Sequence, residues 1–146
     1  MGVIVAAAGR DAGNGNSGIV QLGLSKGLVV EELGWDDDVD EDLRDAVMDA
    51  IDGDLLEESD NAVDVVLQWW RLDDGDVVDC LVDALTDLAD VGYIWLLVPK
   101  FGRPGHVPQA DVAEGAVTAG LSLTTTAAVS PDWSAHKLVR PKGPRR

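Results

Sequence analysis

The alternation of apolar and polar residues predicts a succession of strands and helices in this chain. The segment 28–33 (LVVEEL) is typical of a strand, and a second, short strand is predicted from Leu55 to Glu58. Between them, apolar residues recur at every fourth position, as along one face of a helix: Val39, Leu43, Val47 and Ile51. Gly53 is expected to end this helix, because glycine readily takes the left-handed conformation that follows a last helical turn.

The middle of the chain continues the same alternation. The nearly continuous apolar run 62–70 (AVDVVLQWW) predicts a strand that is covered on both faces. A second helix is predicted to begin at Asp76 and to be ended by Gly92, with these apolar residues on one side: Val77, Val78, Leu81, Val82, Leu85 and Leu88. The segment 93–98 (YIWLLV) is the most hydrophobic of the chain and is predicted to form a central strand.

The last third of the chain is predicted to add one weaker helix and two strands. The helix opens at Pro108 and is stopped by Gly120, and the strands at 121–129 and 135–140 are joined by a short turn. Strands that alternate with helices favour a mostly parallel sheet flanked by helices, and the short final turn favours an antiparallel C-terminal hairpin. The expected α/β fold resembles a small Rossmann-like domain of the methyltransferase type.

The segments that flank this domain have a different composition. Residues 1–20 are predicted to be a flexible tail rich in glycine and asparagine, residues 21–140 a single domain, and residues 141–146 a basic tail. The tail contains GNGNSG at 13–18, a literal match to the dinucleotide-binding pattern G-x-G-x-x-G. Four residues separate this motif from the preceding apolar run, and glycines interrupt the helix that should follow. We therefore favour the tail over a phosphate-binding loop.

Charge narrows the range of possible partners. The chain has 27 acidic and 11 basic residues, and its net charge is −16. Residues 36–90 hold 21 of the acidic residues and only two basic ones, whereas residues 91–146 carry a net charge of +4. Such a polyanion is a poor ligand for nucleic acid, so we expect a basic protein partner. It would bind an acidic ribbon on the second helix: Asp76, Asp79, Asp83, Asp87 and Asp90.

The sequence also indicates in which cellular compartment the protein is expected. A single cysteine, Cys80, cannot form an internal disulfide, and the carboxylates around it are expected to raise the pKa of its thiol and leave it inert. The first eight residues lack the basic start of a signal peptide, and no apolar run approaches the roughly 20 residues that span a bilayer. These features predict a cytoplasmic protein that makes no membrane contact.

Five stretches carry a family resemblance: ELGWDDDVDEDLRDAVMDAIDGDL, AVDVVLQWWR, ALTDLADVGYIWLLVPK, AEGAVTAGLSLTTTAAVS and DWSAHKLVRPK. Together they extend from about Gln21 to Lys142 and resemble a family of small, mainly actinobacterial proteins known only as a domain of unknown function. The resemblance implies no activity. More distant relatives look like methyltransferase-type Rossmann domains, in agreement with the fold predicted above.

Ligands of such sheets bind beyond the carboxyl ends of the parallel strands. That edge is predicted to gather seven candidate ligand-binding residues: Trp35, Glu57, Trp70, Arg71, Lys100, Arg103 and His106. Glu57 matches the position at which S-adenosylmethionine enzymes place the acid that holds the ribose hydroxyls. However, the glycine-rich loop of those enzymes is here LGWDDD, with three aspartates where a carboxylate-bearing cofactor would lie. We therefore predict no cofactor and no catalytic residue.

Metal chemistry is also weakly supported. The run DDDVDED (36–42) lacks the glycine and the final glutamate of a calcium loop, and two histidines are too few for zinc. His106 is expected at the surface, and His136 is expected to face outward from an edge strand. No dedicated metal site is predicted.

Three function classes remain open. The leading hypothesis is a non-catalytic regulatory or protein-interaction module on a degenerate Rossmann-like fold. The alternative is a protein that binds a small molecule or nucleotide resembling S-adenosylmethionine, or a methyltransferase relative, using the carboxyl edge of the sheet. A homodimer is the third possibility, paired through the terminal hairpin or the strand around 124–126.

Overall fold

A five-stranded mixed sheet forms the centre of the computed structural model, which describes residues 19–59 and 61–141. The strands are β1 (Val30–Leu33), β2 (Val63–Trp69), β3 (Leu88–Pro99), β4 (Ser122–Ala128) and β5 (Trp133–Val139), in the spatial order β1-β2-β3-β5-β4. β1, β2 and β3 run parallel, and β5 pairs antiparallel with both β3 and β4. The predicted α/β class with an antiparallel C-terminal hairpin is confirmed.

Within 19–59 and 61–141, the two faces of the sheet are covered by the helices α1 (Glu41–Ile51), α2 (Val77–Leu85) and α3 (Gln109–Thr118). α1 packs on one face, in the cluster that contains Trp69 and Trp133. α2 and α3 pack on the other face, in the cluster that contains Trp70. Trp69 and Trp70 therefore point to opposite faces, as their adjacent positions on a strand predict.

The predicted boundary between the second helix and the following strand is wrong. α2 ends at Leu85, and Leu88, Asp90 and Gly92 belong to β3, so Gly92 ends no helix. The pairing of β2 with β3 is irregular here, because Val63 lies opposite Leu88 while Val65 lies opposite Tyr93. A Cβ at residue 92 would lie 2.7 Å from the Asp64 carbonyl oxygen, so glycine permits a close strand contact. The acidic ribbon predicted on the second helix is therefore interrupted, because Asp90 lies on β3 and not on α2.

Two smaller predictions near β1 are also wrong. The short strand at 55–58 is reduced to a single parallel bridge between Leu56 and Glu31. α1 ends at Ile51, and Asp52, whose φ of 56° lies in the left-handed region, is its C-cap in place of Gly53. Asp52 tolerates this conformation because a short polar side chain can bond locally to the backbone.

His136 is buried, contrary to the prediction that it faces outward from an edge strand. β5 lies between β3 and β4, and His136 is 3% exposed. Its Nδ1 lies 2.9 Å from Thr126 Oγ1, and burial, together with the charge of His106, lowers the pKa of the imidazole. An uncharged ring therefore suits this interior position.

The tails predicted at the two ends lie mostly outside the described residues, and the GNGNSG motif at 13–18 lies wholly outside them. Residues 19–22 are helical, and Leu22 is buried and accepts a hydrogen bond from Trp95 Nε1 at 3.2 Å. At the other end, Arg140 folds back and donates to the Ala89 carbonyl oxygen at 2.6 Å. Within 19–59 and 61–141, no helix has the length and apolar character needed to cross a bilayer.

Candidate functional site

The carboxyl ends of β1, β2 and β3 meet at one edge of the sheet because these strands are parallel. Three connections lie beyond them, at 34–40, 70–76 and 100–108. This is the edge at which α/β sheets bind their ligands. The seven candidate residues predicted from the sequence all lie on or next to this edge, so their mutual geometry decides what the edge can hold.

Gly34 brings the connection after β1 directly against the end of β2. Its φ is 77°, a conformation that favours glycine. A Cβ at this position would lie 2.7 Å from Gln68 Nε2 and would collide with the Trp69 carbonyl oxygen. The single glycine kept in LGWDDD therefore serves the contact between two strands of the protein itself.

Arg71 fills the space between the connections that follow β1 and β2. Its guanidinium makes two hydrogen bonds to the Asp38 carboxylate, the Nε–Oδ2 bond at 3.0 Å, and a third to the Gly34 carbonyl oxygen at 2.7 Å. A further bond reaches Asp74 Oδ2 at 3.3 Å, and the guanidinium carbon lies 5.4 Å from the centre of the Trp133 ring. The Arg71 side chain is 13% exposed, so most of it is enclosed by these contacts.

The Arg71 contacts have an electrostatic consequence for the aspartates that replace the glycine-rich loop. The hydrogen bonds from the Arg71 guanidinium hold the pKa of Asp38 below its ordinary value, against the effect of burial. Asp38 is therefore ionised at neutral pH and paired within the protein. Bidentate pairing of this kind is geometrically specific, so it fixes the two connections relative to each other.

Glu32 is a buried carboxylate that the sequence analysis did not single out. Its side chain is 4% exposed and accepts hydrogen bonds from Arg44 Nε at 2.7 Å, Arg44 Nη2 at 2.8 Å and Trp69 Nε1 at 2.8 Å. Arg44 also bonds the exposed Glu41 at 2.7 Å. A signal was present in the sequence, since Arg44 is one of only two basic residues between 36 and 90.

Trp35 and Glu57 line one surface pocket of about 480 Å³, backed by the Glu32–Arg44 pair. Trp35 is 51% exposed, and Glu57 is exposed at the rim. Of the seven predicted residues, Trp35 and Glu57 share this pocket. The floor of the pocket offers little free bonding capacity, because the Glu32 carboxylate already accepts three hydrogen bonds from the protein.

Of the predicted residues after β3, Arg103 lines a different cavity, whose lining does not include Lys100 or His106. Arg103 pairs with Asp132 at 2.8 Å and lines a cavity of about 210 Å³ with Asp38, Pro99 and Trp133. His106, predicted at the surface, is half-buried, and its Nδ1 lies 2.9 Å from the Pro99 carbonyl oxygen. Trp70 and Arg71 line yet another depression, with Gly34 and Trp35. The predicted edge thus carries several small depressions, two of which share Trp35.

The five aspartates predicted to bind a partner have different surroundings. Asp76 caps α2 by accepting from the backbone N–H of Val78 at 2.7 Å. Asp79 and Asp83 lie exposed on α2, one turn apart, Asp87 lies in the turn after α2, and Asp90 lies on β3. Near them, burial and the charges of Asp83 and Asp74 raise the pKa of the Cys80 thiol to about 12. Among the described residues, no cluster of three potential ligands could hold a metal ion.

Glu31 shares its surroundings with two other carboxylates. It is 3% exposed, and burial, a hydrogen bond to Asp87 and the charges of Asp87 and Glu58 raise its pKa to about 7. A folded-state pKa above the ordinary value of 4.5 means that Glu31 favours the folded state below pH 4.5, and that this contribution is lost as the pH rises through 7.

Glu31→Gln should therefore remove a pH dependence of stability. The amide keeps the hydrogen bond that a protonated carboxyl donates to Asp87 and carries no charge at high pH. We expect the unfolding free energy of the variant, relative to wild type, to rise by about 3 kcal/mol between pH 4.5 and pH 8. Urea unfolding at several pH values measures this, with the exposed Glu57→Gln as control. A difference that does not change with pH would contradict the assignment.

The fold defined by this sheet order is that of methyltransferase-type Rossmann domains. The chain is similar in structure to the CcbJ methyltransferase from Streptomyces caelestis (TM-score 0.57, 11% identity, 87% of this chain and 89% of that one). It is equally similar to an S-adenosylmethionine-dependent methyltransferase from Aquifex aeolicus (TM-score 0.57, 12% identity, 87% and 89%). At these identities the likeness shows the fold alone.

Residues 19–142 match the model of a family described as a protein of unknown function, DUF3052, and the chain belongs to this family. An uncharacterised protein of Mycobacterium tuberculosis (strain H37Rv) is 49% identical over 123 residues, which are 84% of this chain and 77% of the relative. The resemblance identified in the sequence is thereby confirmed.

Proposed function

We propose that this protein is a non-catalytic interaction or regulatory module that binds a basic protein partner. The observation that carries the proposal is the position of Arg71, which joins Asp38, Gly34 and Asp74 across the edge where a Rossmann-like sheet would hold a ligand. A cofactor could enter this space only after displacing a bidentate ion pair in which the Arg71 side chain is 13% and the Asp38 side chain 53% exposed. Fold alone does not imply chemistry, and here the side chains of the protein itself occupy part of this edge.

The charge distribution supports a basic partner. Residues 36–90 carry a net charge of −19, and much of it lies on surfaces with few cations to neutralise it. Arg44 and Arg71, the two basic residues of this segment, are engaged by Glu32 and Asp38. Complementary charge accelerates association and selects against wrong partners, and both effects weaken when salt screens the charges.

A second candidate is a small-molecule site at the pocket of Trp35 and Glu57. The half-exposed Trp35 indole and the Glu57 carboxylate offer a stacking surface and an acceptor for hydroxyl groups. This pocket lies at the edge where the alternative function, binding of an S-adenosylmethionine-like molecule, would need it. Asp36 and Asp37 lie next to Trp35 in sequence, however, and would repel a ligand carboxylate.

Affinity capture at two salt concentrations tests the leading proposal. The purified protein is immobilised and exposed to an actinobacterial extract at about 50 mM and about 500 mM salt, between which the Debye length falls about threefold. We expect a defined basic protein to be retained at the lower concentration and released at the higher one, and to bind again as a purified protein. Retention of no protein, or of a partner indifferent to salt, would overturn the proposal.

A further inference from the structure

A groove on the side of the sheet covered by α2 combines free carboxylates with the polar atoms of two largely buried side chains, Gln68 and Trp70. It has a volume of about 480 Å³ and is open to solvent. Its lining includes Leu33, Gln68, Trp70, Asp76, Asp79 and Asp83. It is separate from the pocket of Trp35 and Glu57, with which it shares no lining residue.

Trp70 presents an unpartnered donor to this groove. The residue is 6% exposed, yet its indole Nε1–H donates to no residue in the described part of the chain. The other enclosed tryptophans differ, because Trp69, Trp95 and Trp133 each donate this hydrogen bond to a carboxylate or carbonyl oxygen within the protein. Among the described residues no fully buried side-chain nitrogen or oxygen lacks a partner, so this N–H reaches solvent, and a bound molecule that replaces the water can accept its hydrogen bond.

Gln68 presents the matching acceptor. It is 7% exposed, and its Nε2 donates to the Trp69 carbonyl oxygen at 3.0 Å. Its amide oxygen accepts no hydrogen bond from any residue within 19–59 and 61–141. A donor and an acceptor that line one groove suit a peptide main chain, which offers both a C=O and an N–H along the edge of an extended segment.

The carboxylates at the rim of the groove indicate which side chains a bound segment should carry. Asp79 and Asp83 stand one helical turn apart on the exposed side of α2 and pair with no cation among the described residues. Asp76 is engaged in capping the helix. Two free carboxylates at this spacing suit guanidinium groups, which bond carboxylates in a fork and are weakly hydrated.

We propose that this groove binds an extended, arginine-bearing segment of a protein partner. Its main chain bonds to the Trp70 N–H and the Gln68 amide oxygen, and its arginines pair with Asp79 and Asp83. The proposal rests on the proposed function, since it specifies which part of the acidic surface receives the basic partner and what that partner presents.

The test is a titration of the full chain, labelled with ¹⁵N, with a nine-residue peptide of alternating alanine and arginine, blocked at both ends. The Trp70→Phe variant identifies the indole signal of Trp70. We expect this signal to move during the titration, while the indole signals of Trp69, Trp95 and Trp133 stay in place because their hydrogen bonds are internal. Movement of the Trp35 signal with Trp70 unchanged would overturn the proposal in favour of the other pocket.

A pair of charge variants provides the second readout, by fluorescence anisotropy of the labelled peptide. Asp79→Asn with Asp83→Asn should weaken binding at least about tenfold, the effect of losing two charge-assisted bonds of about 0.7 kcal/mol or more each. Asp45→Asn with Asp49→Asn makes the same change at the same spacing on α1, where both residues are exposed, and should weaken binding less than about threefold.

The two proposals fail in different ways. If both pairs of variants weaken binding of the peptide equally, the groove is not its binding site. A general role of the acidic surface in binding basic partners would still stand. If the wild-type protein binds no arginine peptide at about 50 mM salt, where screening is weak, the proposed function fails with it.

Discussion

Replacing Arg44 by methionine should lower the free energy of unfolding by about 3 kcal/mol. The variant keeps the length of the apolar stem but leaves the Glu32 carboxylate enclosed, with Trp69 Nε1 as its remaining donor. A carboxylate that is 4% exposed and loses its cation keeps most of the cost of leaving water. Chemical denaturation followed by tryptophan fluorescence measures the change, since Trp69 reports on this site directly.

Two further variants give this prediction its controls. Glu41→Gln removes only the exposed half of the Arg44 contacts and should cost less than about 1 kcal/mol. The double variant Glu32→Met with Arg44→Met removes both charges and should recover part of the loss. If Arg44→Met costs no more than Glu41→Gln, the buried pair does not stabilise α1 against the sheet as described.

Replacing Gly34 by alanine should also destabilise the protein by about 3 kcal/mol, for two separable reasons. The left-handed backbone costs an alanine about 1–2 kcal/mol, and the collision of its Cβ with the end of β2 costs about the same again. Thermal unfolding followed by circular dichroism measures the total.

Gly120→Ala measures the cost of the left-handed backbone alone, without a collision of the added Cβ. Gly120 has a φ of 89°, and a Cβ there would meet nothing within 4 Å. Its replacement should therefore cost only the backbone term, about 1–2 kcal/mol. Equal losses at the two positions would mean that the contact between the Gly34 connection and β2 can relax, and the edge would then be less tightly closed than the Arg71 contacts imply.

The sequence predicts the order of the elements well, because long apolar runs and helical periodicity are local signals. The runs at 62–70 and 93–98 lie in β2 and β3 as expected, and the stripe from Leu43 to Ile51 lies on α1, whereas Val39 precedes this helix, which begins at Glu41. The boundary between α2 and β3 could not be predicted in this way. Leu88 continues the helical spacing of Leu81 and Leu85. It nevertheless belongs to β3, because it pairs with Val63 on β2, and helical spacing along the sequence does not reveal this pairing.

The candidate site was predicted as a set of residues and not as an arrangement. Parallel strands bring Trp35, Arg71 and Arg103 to one edge, and this follows from the fold class. The pairing of Arg71 with Asp38 depends on the paths of two connections, about which periodicity gives no information. The burial of Glu32 could not be predicted for a related reason. An acidic residue in a strand is expected to be buried only when its cation, here Arg44, is known to lie beside it.

The closed edge is tested most directly by isothermal titration calorimetry of the wild-type protein with S-adenosylmethionine and S-adenosylhomocysteine. The contacts of Arg71 with Asp38, Asp74 and Gly34 predict no binding of either compound up to millimolar concentration, where even an affinity of about 4 kcal/mol would be detected. One-to-one binding in the micromolar range, abolished by Trp35→Ala or Glu57→Gln, would contradict the account and identify the edge as a working ligand site.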